Sequence, residues 1–387
     1  MRRPARFFLA GLLAFSPSAR AETIDATRLV VLTTTDRTSM GGAGIAYATG
    51  ANGLFFHPAA PALRDPGQTA PFSFSFAFGN LKLGVGHPSD VGNTGSTEGW
   101  TGGMSNLGLS AGIRHAGLGV VASSLTYSQG DRTITTTEAH ATAAGAVWGD
   151  HVVFGGGYRL LALKVVSGQT TTELWGSGIE TGLVLADLWG GFNTGSTFRS
   201  GVTARDAGGS EEGAARVPWQ VTSGIGWRSF RSPVASRFPA TTLVVDLVVD
   251  GVVADGYALE PLLDGRVVPR GRATTVSPHV GAQVEVMSNR LRLRAGSYLE
   301  PSRTELSGDR LHGTGGFELR LIKVKALKGF IDFDLKWEAG LDAAPRYLNL
   351  AWLGIGFWQP LPPAIVAPLD ETPLDGTPPP GDSSPQE

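Results

Sequence analysis

The residues best equipped for chemistry are seven histidines, His57, His87, His115, His140, His151, His279 and His312, in a 387-residue chain without cysteine. A structural or catalytic metal needs imidazole, thiolate or carboxylate donors at short, fixed spacings. No two of these histidines stand at i, i+4 with a glutamate between them, so the spacing offers no metal centre. Acyl transfer by a serine nucleophile would show a GxSxG elbow, and nucleotide chemistry a phosphate-cradling P-loop; neither occurs. Gly117-Leu118-Gly119 and Gly224-Ile225-Gly226 lie in alternating segments and read as strand glycines. Serines and histidines are both present, but nothing in their spacing selects a pair. The reading is of a protein that is not an enzyme and needs no cofactor. A formal net charge of −2, with no basic stretch, leaves no electrostatic case for nucleic acid.

A second set of polar groups alternates with apolar residues. Arg292 and Arg294 oppose Leu291, Leu293 and Ala295. Glu318 and Arg320 oppose Phe317, Leu319 and Leu321. Asp332, Asp334, Lys336 and Glu338 oppose Ile331, Phe333, Leu335 and Trp337, and Asp246 and Asp250 oppose Leu243, Val245, Leu247 and Val249. Period two marks strands, and a one-residue slip would exchange the faces, so register is strongly specified. The charges either set the selectivity of a lumen or pair across neighbouring strands and brace its wall.

The elements that must position these groups begin behind a leader. Arg2, Arg3 and Arg6 precede the apolar run Phe7 to Phe15, and Ala19-Arg20-Ala21 forms a small-residue cleavage site. This pattern predicts a signal peptide over 1–21 and an exported mature chain. No later apolar run is long enough for a transmembrane helix. Alternating segments are predicted at 71–79, 105–114, 117–127, 132–148, 151–165, 171–187, 190–205, 216–230, 240–251, 276–287, 290–299, 312–325, 328–338 and 346–358. At Gly79-Asn80 the apolar parity breaks and continues at Leu81, Leu83 and Val85, as a two-residue turn or a bulge would make it.

A soluble β-protein would turn the apolar face inward, and a membrane barrel reverses it. About 14 strands would close a barrel too wide for side chains alone to fill, which favours a polar lumen or a plug. Connections are tight at 115–116, 149–150, 288–289 and 326–327 and long at 88–104, 206–215, 252–275 and 300–311, as expected of the two rims of an outer-membrane barrel. Trp219, Trp227, Trp337, Trp352 and Trp358 are expected in interfacial girdles. The Phe357-Trp358 ending of the last strand fits a closing strand read by barrel assembly machinery. The Pro-rich, acidic stretch 359–387 is expected to be disordered.

Between leader and barrel, residues 22–70 form a plug or hatch centred on 38–63. Met40, Gly41, Gly42, Gly44, Gly50 and Gly53 with several alanines permit close backbone approach, and Phe55, Phe56, His57 and Pro58 close the stretch. The expected fold is therefore all-β, a transmembrane antiparallel β-barrel in the cell outer membrane, surrounded by outer-membrane lipid.

Ser39-Met40-Gly41-Gly42-Ala43-Gly44-Ile45-Ala46 and Gly53-Leu54-Phe55-Phe56-His57-Pro58-Ala59 resemble the opening of the FadL/TodX family of outer-membrane transporters of fatty acids and aromatic hydrocarbons. Val217-Pro218-Trp219 and Leu293-Arg294-Ala295-Gly296-Ser297-Tyr298 with Glu300-Pro301-Ser302 look like two later family segments. The resemblance implies a 14-stranded barrel, an N-terminal hatch, passive passage of a hydrophobic small-molecule ligand past Met40, Phe55 and Phe56, and a lateral exit into the membrane. His57 stands where the family usually has asparagine; its imidazole has another shape and titrates near pH ~6.5. Two other readings remain: a structural, adhesive or secretion-associated outer-membrane barrel without transport, and a soluble periplasmic β-protein.

Overall fold

Most of the chain alternates apolar and polar residues with period two, which suits an extended backbone whose two faces meet different media. A computed structural model describes residues 23–27, 33–64, 72–85, 89–94, 100–206, 214–229, 239–326 and 331–358, without the side chains of 324–326 and 331–333. The leader and the Pro-rich tail lie outside the described residues. The strands are β1 (Thr23–Asp25), β2 (Phe72–Leu83), β3 (Thr101–Ile113), β4 (Ala116–Gln129), β5 (Arg132–Val147) and β6 (Val152–Ser167). They continue as β7 (Thr170–Leu185), β8 (Phe192–Arg199), β9 (Val202–Ala204), β10 (Ala215–Val217), β11 (Gln220–Arg228) and β12 (Thr241–Asp250). The last are β13 (Gly256–Tyr257), β14 (Thr275–Met287), β15 (Leu291–Glu300), β16 (Arg310–Ala326), β17 (Ile331–Ala344) and β18 (Tyr347–Phe357). Helical turns occur at α1 (Thr35–Thr38), Ile45–Tyr47 (3-10), α2 (Gly50–Gly53) and α3 (Leu259–Leu263).

β2 to β8, β11, β12 and β14 to β18 close into one 14-stranded antiparallel barrel, sealed where β18 pairs with β2. Leu109, Leu118, Leu160, Ile179, Val245 and Leu293 project outward and are exposed, while Asp246, Arg292, Arg294 and Glu318 project inward and are buried. An apolar outer belt around a polar interior is the distribution of a transmembrane barrel. Trp219 and Trp352 reach the outer surface, at 40% and 48% exposure. Trp358 does not join the girdle. It turns inward beneath the Arg292 guanidinium, 4.0 Å from its ring, and donates to Asn289 Oδ1 at 2.7 Å.

The tight turns at 114–115, 148–151 and 288–290 lie on one rim, together with the start of β2 and the end of β18. The strand ends joined by the long connections 84–100, 200–219, 251–274 and 301–309 are on the other, which also carries tight turns after β4, β6 and β17. Loop length therefore separates the rims less cleanly than the sequence suggested. The predicted segment 190–205 is divided between β8 and β9, and 216–230 between β10 and β11. β9 and β10 leave the barrel and, with β13 and the N-terminal β1, form a small sheet ordered β13-β1-β10-β9 at the long-loop rim.

The parity break at Gly79-Asn80 is neither a turn nor a bulge in β2, which pairs with β3 without interruption from Phe72 to Leu83. Odd-numbered residues face inward throughout. Phe72 and Phe74 face outward, whereas Leu81 and Leu83 are buried inside. The medium changes, not the strand. Near the long-loop rim the lumen holds an apolar core in which Leu81, Met104, Leu125, Ile134, Leu163 and Leu174 pack with Ile24 of β1 and Leu259 of α3. Asp25 anchors this mouth through Arg303 Nε at 3.0 Å and Arg270 Nε at 3.6 Å.

Candidate functional site

The central feature of the lumen is the fit between the segment 33–64 and glycines on the inner face of the wall. A side chain on an inward strand position would occupy the space through which this backbone runs. A Cβ on Gly281 of β14 would lie 2.6 Å from the Met40 carbonyl oxygen, and one on Gly112 of β3 would lie 2.7 Å from the Pro61 oxygen. Gly195 of β8 faces the Ile45 oxygen, Gly182 of β7 the His57 ring, and Gly340 of β17 the Ser39 side chain. The fit is reciprocal at Gly41, whose φ of +65° favours glycine and whose Cβ would meet Ser297 N at 2.7 Å. α1 touches β16, β17 and β18, the turn at Ile45–Tyr47 touches β8 and β11, and α2 touches β2, β3 and β4. The segment thus spans the lumen from wall to wall.

Wall side chains then hold its backbone. Asp246 Oδ2 accepts from Gly44 N at 2.6 Å and Ile45 N at 2.9 Å, satisfying donors at the start of a helical turn. Arg199 Nη2 donates to the Phe55 oxygen at 2.7 Å, Asn193 Nδ2 to the Ala46 oxygen at 3.2 Å, and Asn106 Nδ2 to the Thr33 oxygen at 3.1 Å. The Tyr47 hydroxyl donates to the Gly191 oxygen at 2.5 Å, and burial lifts its pKa to about 12. Within the segment, Arg37 Nη2 donates to the Tyr47 oxygen at 2.8 Å. Burial disfavours the charge on neighbouring Asp36, but Arg37, Lys336 and Arg294 outweigh it and hold the pKa at about 2.

His57 is fully buried against β7. Its Nδ1 accepts from Ala59 N at 3.0 Å and its Nε2 lies 3.3 Å from the Leu183 oxygen, which defines the neutral Nε2–H tautomer. Burial depresses its pKa from 6.5 to about 4. The sign follows directly: between those values the undocked segment binds the proton and the docked one does not. The contribution of His57 to docking is therefore complete above pH ~6.5 and falls as pH drops toward 4, by about 3 kcal/mol at the acid end. Thiol labelling of a cysteine placed at buried Ala43 is expected to accelerate over that window, and His57→Leu should reduce the pH dependence to the part carried by His279 against the Gly41 oxygen.

Of the lumen charges predicted from sequence, five converge on β15, β16 and β17. Arg292 pairs with Glu285 and Glu318, each at 3.2 Å; Arg294 pairs with Glu318 and, at 3.5 Å, with Glu338; Lys336 reaches Glu338 at 2.6 Å and Glu318 at 3.6 Å. Arg320 and Asp334 form a separate, more exposed pair at 2.7 Å. The Asp332 side chain lies outside what is described. Of the residues predicted to form a plug, Met40 and Phe55 are buried, and Gly42 and Phe56 line lumenal space. Pro58 packs its carbonyl against Gly155.

Sequence reasoning missed two further clusters. On β5 to β8, His140 lies 3.2 Å from Glu138 and 3.0 Å from Glu180, with Arg159 on Glu138 and Arg199 on Glu180. On β14 to β18, His279, Tyr298 and His312 stack in series, Tyr347 meets His312 edge-on, and His279 Nδ1 meets the Gly41 oxygen at 2.5 Å. The available signal was parity: each member occupies an inward position of its strand.

Two cavities flank the segment. Toward the tight-turn rim, one of about 80 Å³ is lined by Asp36, Arg37, Met40, Arg228, Arg294 and Lys336. Toward the mouth, one of about 180 Å³ is lined by Ile45, Phe55 and Phe56 of the segment, Arg159 and Arg199 on one wall, and Asp246 and Asp250 on the other.

No protein-family model matches the chain, and no curated protein matches it either. Solved structures do. A Pseudomonas aeruginosa FadL homologue is similar with a TM-score of 0.56 and 12% identity, covering 86% of this chain and 98% of the other. The CymD monoaromatic hydrocarbon channel gives 0.51 and 14%, covering 86% and 98%. The P. putida toluene transporter TodX gives 0.51 and 13%, covering 86% and 99%. At these identities the likeness is one of fold: the chain has a FadL/TodX-like barrel.

Proposed function

We propose that this chain is an outer-membrane channel for passive uptake of small hydrophobic molecules, gated by the segment 33–64. The observation that carries the reading is a one-ring-sized cavity directly above a lumen-spanning segment, with Phe55 and Phe56 on its floor. An apolar cavity of about 150 Å³ is enough for benzene, so about 180 Å³ suits a monoaromatic ring better than a long acyl chain. Likeness of fold to hydrocarbon channels supports the same class of ligand.

The family resemblance implies a lateral exit without locating it, and the ladders from β2 to β5 pair continuously. The weakest seam is β7–β8, where only Glu180–Leu185 pair with Arg199–Thr194. Beyond it, β7 bonds to the departing chain through Ser200 N to the Ile179 oxygen and a Trp175–Arg205 bridge. We place a lateral route there.

The Ser39 and Gly340 Cβ positions lie 3.4 Å apart, close to disulfide spacing. In the cysteine-free chain, Ser39→Cys with Gly340→Cys is expected to lock the segment and stop uptake of toluene into proteoliposomes, with recovery on reduction. Equal uptake by locked and reduced protein would refute gating. The filled mouth favours a second reading, a barrel that anchors rather than transports, and absence of uptake in both states would support it.

A further inference from the structure

The cavity above the plug, large enough for an aromatic ring, also carries polar groups that a hydrocarbon would leave unmet. On β12, Asp246 and Asp250 face the lumen at 2% and 4% exposure. Among the described residues neither carboxylate forms an ion pair. Asp250 accepts from Gln220 Nε2 at 2.9 Å. Asp246 spends Oδ2 on the plug, while its buried Oδ1 has no hydrogen-bond partner. A buried carboxylate is costly when its cations, here Arg37 for Asp246 and Arg303 and Arg199 for Asp250, act only from beyond ion-pair distance, and a pure hydrocarbon beside it would raise the cost by displacing water. The cations on the opposite wall are already committed, Arg159 to Glu138 and Arg199 to Glu180 and the Phe55 oxygen. The aromatic floor of Phe55 and Phe56 adds faces that attract a cation.

We propose that the cavity between β12 and the plug binds a compact organic amine of one-ring size, its ammonium at Asp250 or Asp246 and its apolar body over Phe55 and Phe56. This rests on reading the lumen as a ligand path, and it narrows the ligand from hydrophobic molecules in general to amphipathic cations. Asp250 and Asp246 stand four residues apart on one strand face, about 13 Å. They therefore form two successive stations, one nearer the mouth and one at the plug.

The test is calorimetric binding of phenethylamine, ethylbenzene and phenylacetate to the purified full-length protein in detergent. Phenethylamine is expected to bind at least about tenfold more tightly than either, and Asp250→Asn, which keeps an acceptor for Gln220, should weaken it about tenfold. Equal or tighter binding of ethylbenzene or phenylacetate would overturn the inference, as would an unchanged Asp250→Asn. Ethylbenzene binding without phenethylamine binding would do so while leaving a hydrophobic channel standing. Binding of none of the three would overturn both. Heat-modified gel migration, and cross-linking through the Ser39→Cys and Gly340→Cys pair, verify that each variant is folded with its plug in place. If Asp250→Asn fails either check, the three-ligand comparison on the unaltered chain decides.

Discussion

Gly281→Leu is expected to expel the plug from the wall without unfolding the barrel. Gly281 pairs with Gly296 across β14 and β15, and the two form a hollow that receives Met40 and Gly41. A Cβ at 281 would already sit 2.6 Å from the Met40 oxygen and 3.0 Å from its Cβ, and backbone cannot yield as a flexible side-chain end does. The rest of the leucine has no space on that face. The β12–β14 and β14–β15 ladders need nothing from the missing side chain, so the barrel should still close and still migrate as a heat-modifiable band. Overpacking alone costs roughly 1–3 kcal/mol. Here it adds to displacement of the His279 contact with Gly41 and of nearby wall bonds. Labelling of a cysteine at Ala43 should rise from near zero to the rate of an exposed site. The outward-facing control Val280→Leu should leave labelling unchanged.

Glu318→Ala should cause the largest loss of stability among single lumenal substitutions. Glu318 is 1% exposed and meets Arg292, Arg294 and Lys336. Removing it leaves three buried cations sharing Glu285 and Glu338, and breaking a buried pair from one side costs about 3–5 kcal/mol. The damage should spread to the plug, because Asp36 draws part of its stabilisation from Lys336 and Arg294. Asp334→Ala provides the contrast. Its pair with Arg320 is partly solvated, at 17% and 24% side-chain exposure, and should be worth no more than about 1 kcal/mol. Unfolding midpoints in urea would measure both. A Glu318→Ala effect as small as that of Asp334→Ala would show that water reaches the network.

The barrel was legible because period-two alternation is a local signal, and near the C-terminus Arg292, Arg294, Glu318, Lys336 and Glu338 report the inner face directly. The stretch 38–63 was legible as something that packs closely, since its glycines and alanines have no other evident use. Its partners were not. Gly112, Gly182, Gly195, Gly281 and Gly340 look like ordinary strand glycines until closure places them opposite Pro61, His57, Ile45, Met40 and Ser39. Ring closure is a long-range event that spacing along one strand does not encode. Leu81 and Leu83 misled for a related reason. Parity states which residues share a face, but not whether that face meets lipid or an apolar core inside the mouth. Asp246 was visible as an inward charge, yet its bond to Gly44 and Ile45 joins residues about two hundred positions apart.

Residues 33–64 are expected to close the lumen of the barrel. Single-channel conductance in planar bilayers tests it most directly, comparing the full-length protein with a variant in which 33–63 is replaced by a short glycine-serine linker. The intact protein is expected to be silent and the variant to show steady, porin-like conductance at the same degree of heat-modifiable folding. Equal conductance from the two folded proteins, open or closed, would contradict it.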